Sequence, residues 1–128
     1  MLKQYLKYSK YDWNIIVYYN INGNDKQDIL EMLYYLHCSA EDAKDIIDLI
    51  NKLDKGFTYT NNNTKLSFVG ISETTSKGEF INSIVHEAKH ITEHICNYYN
   101  ISLKGEPSAY IIGEIVMLLF DKFKLLIL

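Results

Sequence analysis

The sequence predicts an α+β domain in which a small sheet packs against helices. Three features carry that prediction: a β-branched and aromatic run early in the chain, a pair of short β-type runs in its middle, and long stretches of helical hydrophobic spacing around them. With 128 residues, 48% of them hydrophobic and 23% charged, the chain reads as one domain over residues 1–128. A domain of that size buries roughly two-thirds of its unfolded surface and can fold without disulfides. Cys38 and Cys96 form no CxxC pair and read as reduced thiols in or near the core.

The N-terminal MLKQYLKYSKYDW is a lysine-spotted start without a continuous apolar stretch or a small-residue cleavage site, so a cytoplasmic location is expected. Trp13 to Ile21 reads as a strand, closed by the turn pair Asn22-Gly23. From Lys26 to His37, Ile29, Met32, Leu33 and Leu36 recur at helical spacing, with Asp25 as the expected N-cap. Ser39 and Asp42 resemble a capping box, and Ala43, Ile46, Ile47, Ile50 and Leu53 mark the apolar stripe of a second helix ending before Gly56.

Phe57 to Thr60 and Lys65 to Ser72 flank Asn61-Asn62-Asn63 and predict a hairpin. Ser76 and Glu79 form an S-x-x-E capping box for a third helix, whose apolar positions Phe80, Ile84, Ile91 and Ile95 carry it to about Tyr99. Glu106-Pro107 open a last helix, since proline suits the first turn. Ala109 and Gly113 on it would let it approach the third helix closely. Its apolar stretch from Tyr110 to Leu128 is broken by Glu114, Asp121, Lys122 and Lys124, so a largely buried helix is expected and no membrane span.

Charge narrows the partners. Thirteen basic residues against 16 acidic ones give a net charge of -3, and every basic residue is lysine. A nucleic-acid partner is not expected, because phosphate binding needs positive charge and arginine is the commonest bidentate reader of guanine.

The chemistry lies in the third helix. His86-Glu87-Ala88-Lys89-His90 fits H-E-x-x-H, in which two imidazoles four residues apart project from one helical face and can chelate a cation. Zinc, one per chain, is the expected metal, held by three protein ligands with a fourth position for water. Glu87 can reach that water without binding the metal, which makes it the candidate general base and proton donor.

A third ligand from the same helix would lie in line with the first two, so Glu93 and His94 are read as a pair behind the ligands or facing solvent. The metzincin pattern is excluded, because Glu93 stands where its glycine would be and Cys96 where its third histidine would be. Glu106 and Glu114 remain. In a tight antiparallel helical hairpin, simple counting from the turn favours Glu114, whereas Glu106 requires an early helix end or an oblique crossing. Candidates to stabilise an oxyanion are Tyr110, Tyr98, Tyr99 and His94.

Glu106-Pro107-Ser108-Ala109 resembles the E-x-x-A element that follows HExxH in gluzincin-like peptidases, particularly the compact minigluzincin and ImmA/IrrE-like proteins. HEAKH followed by KGEPSAYIIG also resembles a group of small bacterial proteins associated with phages and mobile elements. The likeness covers about Leu66 to Gly113. It implies a zincin-like fold, a zinc metallopeptidase activity on a peptide or protein substrate, and Glu106 as the third ligand. It further implies that Phe68, Val69, Gly70 and Ile71 form a sheet edge that binds an extended peptide by strand addition, with Gly70 either leaving room for its backbone or serving as a bulge or packing glycine. Two other readings compete: a non-catalytic zinc-binding regulatory protein on the same scaffold, and a helical interaction module using the apolar tail Leu125 to Leu128.

Overall fold

The computed structural model of the chain describes residues 1–50, 52 and 56–128. In chain order the elements are β1 (Leu2–Tyr8), β2 (Trp13–Ile21), α1 (Lys26–Tyr35), α2 (Ala40–Ile50), β3 (Phe57–Asn61), β4 (Leu66–Ser72), α3 (Lys77–Tyr99) and α4 (Glu106–Ile127). The expected α+β class is what the chain adopts. Leu53, expected on the second helix, lies outside the described residues.

The four strands form one mixed sheet in the order β1-β2-β4-β3. β1 is antiparallel to β2, β2 is parallel to β4, and β3 is antiparallel to β4. β1 is an element the sequence reading did not assign. Its residues alternate, with Leu2, Leu6 and Tyr8 turned toward the core and Lys3, Tyr5 and Lys7 outward. Lysines on the solvent face of an edge strand discourage pairing with another chain, and here they masked the strand signal.

Helices cover both faces of the sheet. On one side Ile15, Val17, Tyr19, Val69 and Ile71 pack against α3 and α4. On the other, Ile16, Tyr18, Phe57 and Phe68 pack against α1 and α2. A strand buried on both faces reads as a continuous apolar run, which explains the β2 sequence WNIIVYYNI. The register slips between Tyr19 and Ile21, with Asn20 at φ +57°. This bulge moves Ile21 to the α1 and α2 side although Tyr19, two residues earlier, faces α3.

Several caps follow the sequence. The Ser39 hydroxyl accepts the Asp42 N–H at 3.1 Å, and the Ser76 hydroxyl accepts the Glu79 N–H at 3.1 Å. Asp25, however, does not cap α1. Its carboxylate instead accepts the Asn22 N–H at 2.9 Å and closes a short 3-10 turn leading into α1.

The last helix differs from expectation. α4 buries one face, Ser108, Ile111, Ile115, Leu119 and Phe123, while Met117, Leu125 and Leu128 are exposed. Ala109 and Gly113 stand on its solvent side, and a Cβ at Gly113 would meet nothing within 4 Å, so no small-residue seam joins the two helices. Among the described residues no helix is long and apolar enough to cross a membrane. Cys38 and Cys96 are both free thiols.

Candidate metal centre

α3 is held rigidly before it does anything else. Ile84, Ala88, Ile91 and Ile95 have no exposed surface, and burying each isoleucine contributes about 1.5–3 kcal/mol. At the far end Asn100, at φ +57°, stops the helix by donating its N–H to the Cys96 carbonyl. With the apolar stripe fixed on the sheet, His86 and His90 emerge on the flank of the helix, His86 exposed and His90 half-buried.

The two imidazoles meet. His86 Nε2 and His90 Nε2 are 3.2 Å apart, with ring planes at 85°. Two nitrogens about 2.05 Å from one zinc ion, at the 3.2 Å separation seen here, subtend an angle of about 103°, near the tetrahedral value. The spacing of these two nitrogens is therefore one that a tetrahedral cation could bridge. Without metal the same spacing suits one Nε2–H donating to the other ring. Chelation through Nε2 leaves the ring hydrogen on Nδ1; the Glu93 carboxylate stands 3.8 Å from His90 Nδ1, longer than a hydrogen bond.

Glu87 completes a group whose candidate ligand atoms all lie within 4.8 Å of one another. It is 5% exposed. Its Oε1 accepts a hydrogen bond from the Thr58 hydroxyl at 2.9 Å. Burial pushes its carboxyl above the usual range, while the Thr58 hydrogen bond and the nearby His86 and His90 pull the other way. A carboxylate made more basic by burial, beside two imidazoles, can take up and return a proton. Gly56 passes close above it: a Cβ there would lie 2.4 Å from the Gly70 carbonyl oxygen and 3.2 Å from Glu87 Oε2.

Not every expected residue joins this group. Glu114 accepts hydrogen bonds from the Tyr8 hydroxyl at 2.9 Å and from Lys10 at 3.1 Å. Those partners belong to the β1 end of the sheet, whereas Glu87 is held by β3 at the opposite edge. Counting along the helices thus misplaced Glu114, because α4 packs over β1 and turns that carboxylate away from the histidines. Glu106 is the first residue of α4, exposed, and among the described residues stands outside the group of three.

The expected substrate edge also moves. Phe68, Val69, Gly70 and Ile71 lie in β4, which is paired on one side with β2 and on the other with β3. An interior strand has no free main-chain groups for strand addition. Gly70 is a packing glycine, since a Cβ there would sit 2.2 Å from Phe57 Cε1 and 2.7 Å from Ile21 Cδ1. The edge beside Glu87 is β3.

The tyrosines are spent elsewhere. Tyr98 packs edge-on against Trp13, and the Tyr99 hydroxyl donates to the Tyr11 carbonyl at 2.6 Å. Tyr110 is 62% exposed on α4. His94 lies one turn beyond His90, half-buried, with its Nδ1 2.6 Å from the Thr60 hydroxyl.

Sequence reasoning missed Thr58, Thr60, Ser67 and Gly56. The available signal was the FTYTN run, whose alternation places Thr58 and Thr60 on one face of β3 and Phe57 and Tyr59 on the other. One hollow among the described residues, about 1170 Å³ and lined by Leu30, Tyr34, Tyr35 and Cys38 among others, lies by α1 and α2 on the far side of the sheet from His86 and His90. Compared with known proteins, the chain matches no family model, no curated protein and no solved structure.

Proposed function

We propose that the chain is a zinc-dependent peptidase in which His86 and His90 hold the metal and Glu87 moves the proton. The observation that carries this reading is the 3.2 Å convergence of the two Nε2 atoms beside a buried carboxylate. Bound there, zinc supplies a Lewis acid that acidifies water and polarises a carbonyl group. Glu106, exposed at the start of α4, is the residue to complete the ligand set.

Each residue's part follows from its surroundings. Thr58 occupies one oxygen of Glu87, so the other is the one available to a proton. Burial raises the affinity of that carboxylate for the proton, which it then returns to the leaving amine. The substrate edge implied by the family likeness passes from β4 to β3, the edge strand of the sheet among the described residues. An extended peptide added to β3 lies along the strand that also positions Glu87.

A second reading has its own support: His86 is exposed on a flank of α3, as suits a zinc-binding regulatory protein without catalysis. One experiment separates the two. The purified protein and Glu87→Gln are assayed for zinc content and for cleavage of a quenched-fluorescence peptide library. Both proteins should hold zinc, and the variant should lose about 100-fold or more of the activity. Zinc with no cleavage by the parent selects the regulatory reading, and full activity in Glu87→Gln removes that residue as the base.

A further inference from the structure

A chain of hydrogen bonds runs from the core to the third histidine of α3, and its direction can be read from donor chemistry. The Trp13 indole N–H has a hydrogen to give and no lone pair to accept one, so Ser67 Oγ, 3.0 Å away, must accept. Ser67 has no exposed surface, and the only other partner of its hydroxyl among the described residues is Thr60 Oγ1 at 2.7 Å. Were Thr60 to donate to Ser67, the Ser67 hydrogen would be sealed in the core with no acceptor, an arrangement that folded proteins avoid. Ser67 therefore donates to Thr60. The Thr60 hydrogen is then free for its remaining partner among the described residues, His94 Nδ1 at 2.6 Å.

We infer that His94 is held as the tautomer with bare Nδ1 and hydrogen on Nε2, so that it serves the site as a hydrogen-bond donor and not as a metal ligand. A cation could recruit His94 Nε2 only by displacing that hydrogen to Nδ1, against the direction set by Trp13. Three histidines on successive turns of α3 thus divide into two that converge on a metal position and one that donates. Burial and the neighbouring His90 both hold His94 below the ordinary histidine range, in keeping with a neutral ring.

The donor has a use at the strand edge. Thr58 and Thr60, alternate residues of β3, hold Glu87 and His94 respectively, so the strand with the open edge positions both groups. Resting on the peptidase reading, the Nε2–H of His94 is the group that donates to a carbonyl oxygen of a peptide lying along β3.

The test reads the tautomer directly. In long-range ¹H–¹⁵N spectra of the histidine-labelled full chain at neutral pH, His94 should show a bare Nδ1 and a protonated Nε2. Adding zinc should move the Nε2 signals of His86 and His90 and leave the His94 tautomer unchanged. Ser67→Ala should turn His94 into a mixture of tautomers while the zinc response of His86 and His90 persists, which also reports that the variant folds. Thr60→Val gives the same readout from the next link if Ser67→Ala does not fold. An Nδ1–H tautomer in the parent, or zinc bound through His94 Nε2, overturns the inference. His94→Ala should keep zinc and lower kcat/KM by about 100-fold, with His94→Gln, which retains an N–H, recovering part of the loss. Unchanged kcat/KM in His94→Ala overturns the donor role. If the parent cleaves nothing, the peptidase reading fails while the tautomer measurement still decides the assignment of His94.

Discussion

Replacing Thr58 with valine keeps the shape of a β-branched strand residue and removes the one hydroxyl that donates to buried Glu87. A hydrogen bond to a charged group contributes about 1.5–3 kcal/mol. With a urea m-value of about 2 kcal/mol/M for a chain of this size, a loss of about 2 kcal/mol lowers the unfolding midpoint by about 1 M. The measurement is urea unfolding of the chelator-treated protein followed by far-UV circular dichroism. Its pH dependence carries the argument. The Thr58 hydroxyl favours the ionised carboxylate, so its stabilisation is present above the titration of Glu87 and fades as pH falls through it. Glu87 itself has the opposite sign: burial raises its folded pKa above the unfolded one, so it detracts from stability as pH rises through that window. In a Glu87→Gln background the bond becomes neutral, worth about 0.5–1.5 kcal/mol, and the effect of Thr58→Val should roughly halve. An equal loss at neutral and acid pH, or strict additivity of the two substitutions, would refute the claim that Thr58 acts on the Glu87 charge.

Gly70→Ala drives a Cβ to 2.2 Å from Phe57 and 2.7 Å from Ile21, an overpacking that costs about 1–3 kcal/mol and should lower Tm by about 3–12 °C in differential scanning calorimetry. An unchanged Tm would mean that β3 and β4 do not pack as described. Glu114→Gln should leave zinc content and cleavage as in the parent, while Glu106→Gln should weaken zinc binding in a competition titration; loss of zinc in Glu114→Gln would contradict its place over β1. Asp12 is held at about 2, from an ordinary 3.8, by hydrogen bonds from Lys7 and Lys65. A lowered folded pKa stabilises above the unfolded value and is lost as pH falls through the folded one, so the Asp12→Asn difference should vanish across that window and shrink in high salt. A difference that persists at lower pH would point to a cause other than the ion pairs.

Local pattern made much of this fold legible. β2 and α3 fall at Trp13–Ile21 and Lys77–Tyr99, the limits their residue types suggested, because turn and cap residues mark both ends. The hairpin of β3 and β4 was announced by its asparagine cluster. β1 escaped notice because its outward lysines broke the apolar run, although the alternation at Leu2, Leu6 and Tyr8 was there to be counted. Strand order is a tertiary property, yet the run SFVGI hinted at it, since unbroken burial belongs to an interior strand. At the site, the spacing of His86 and His90 sufficed to bring their rings together, because one helix carries both. The rotation of α4 was not readable. That helix is apolar around most of its circumference, so its sequence does not say which face meets α3 and which meets β1, and Glu114 was misjudged for that reason. Thr58 and Thr60 were invisible as partners of α3 because nothing local links residues about thirty positions apart.

The proposed metal lies between His86 and His90. Zinc stoichiometry and affinity, measured by elemental analysis and a chelator competition titration on the parent, His86→Ala and His90→Ala, test it most directly. The parent should carry one zinc per chain, and each variant should lose it while keeping the parent's circular dichroism spectrum. A parent that takes up no zinc, or variants that bind it as tightly as the parent, would contradict the account.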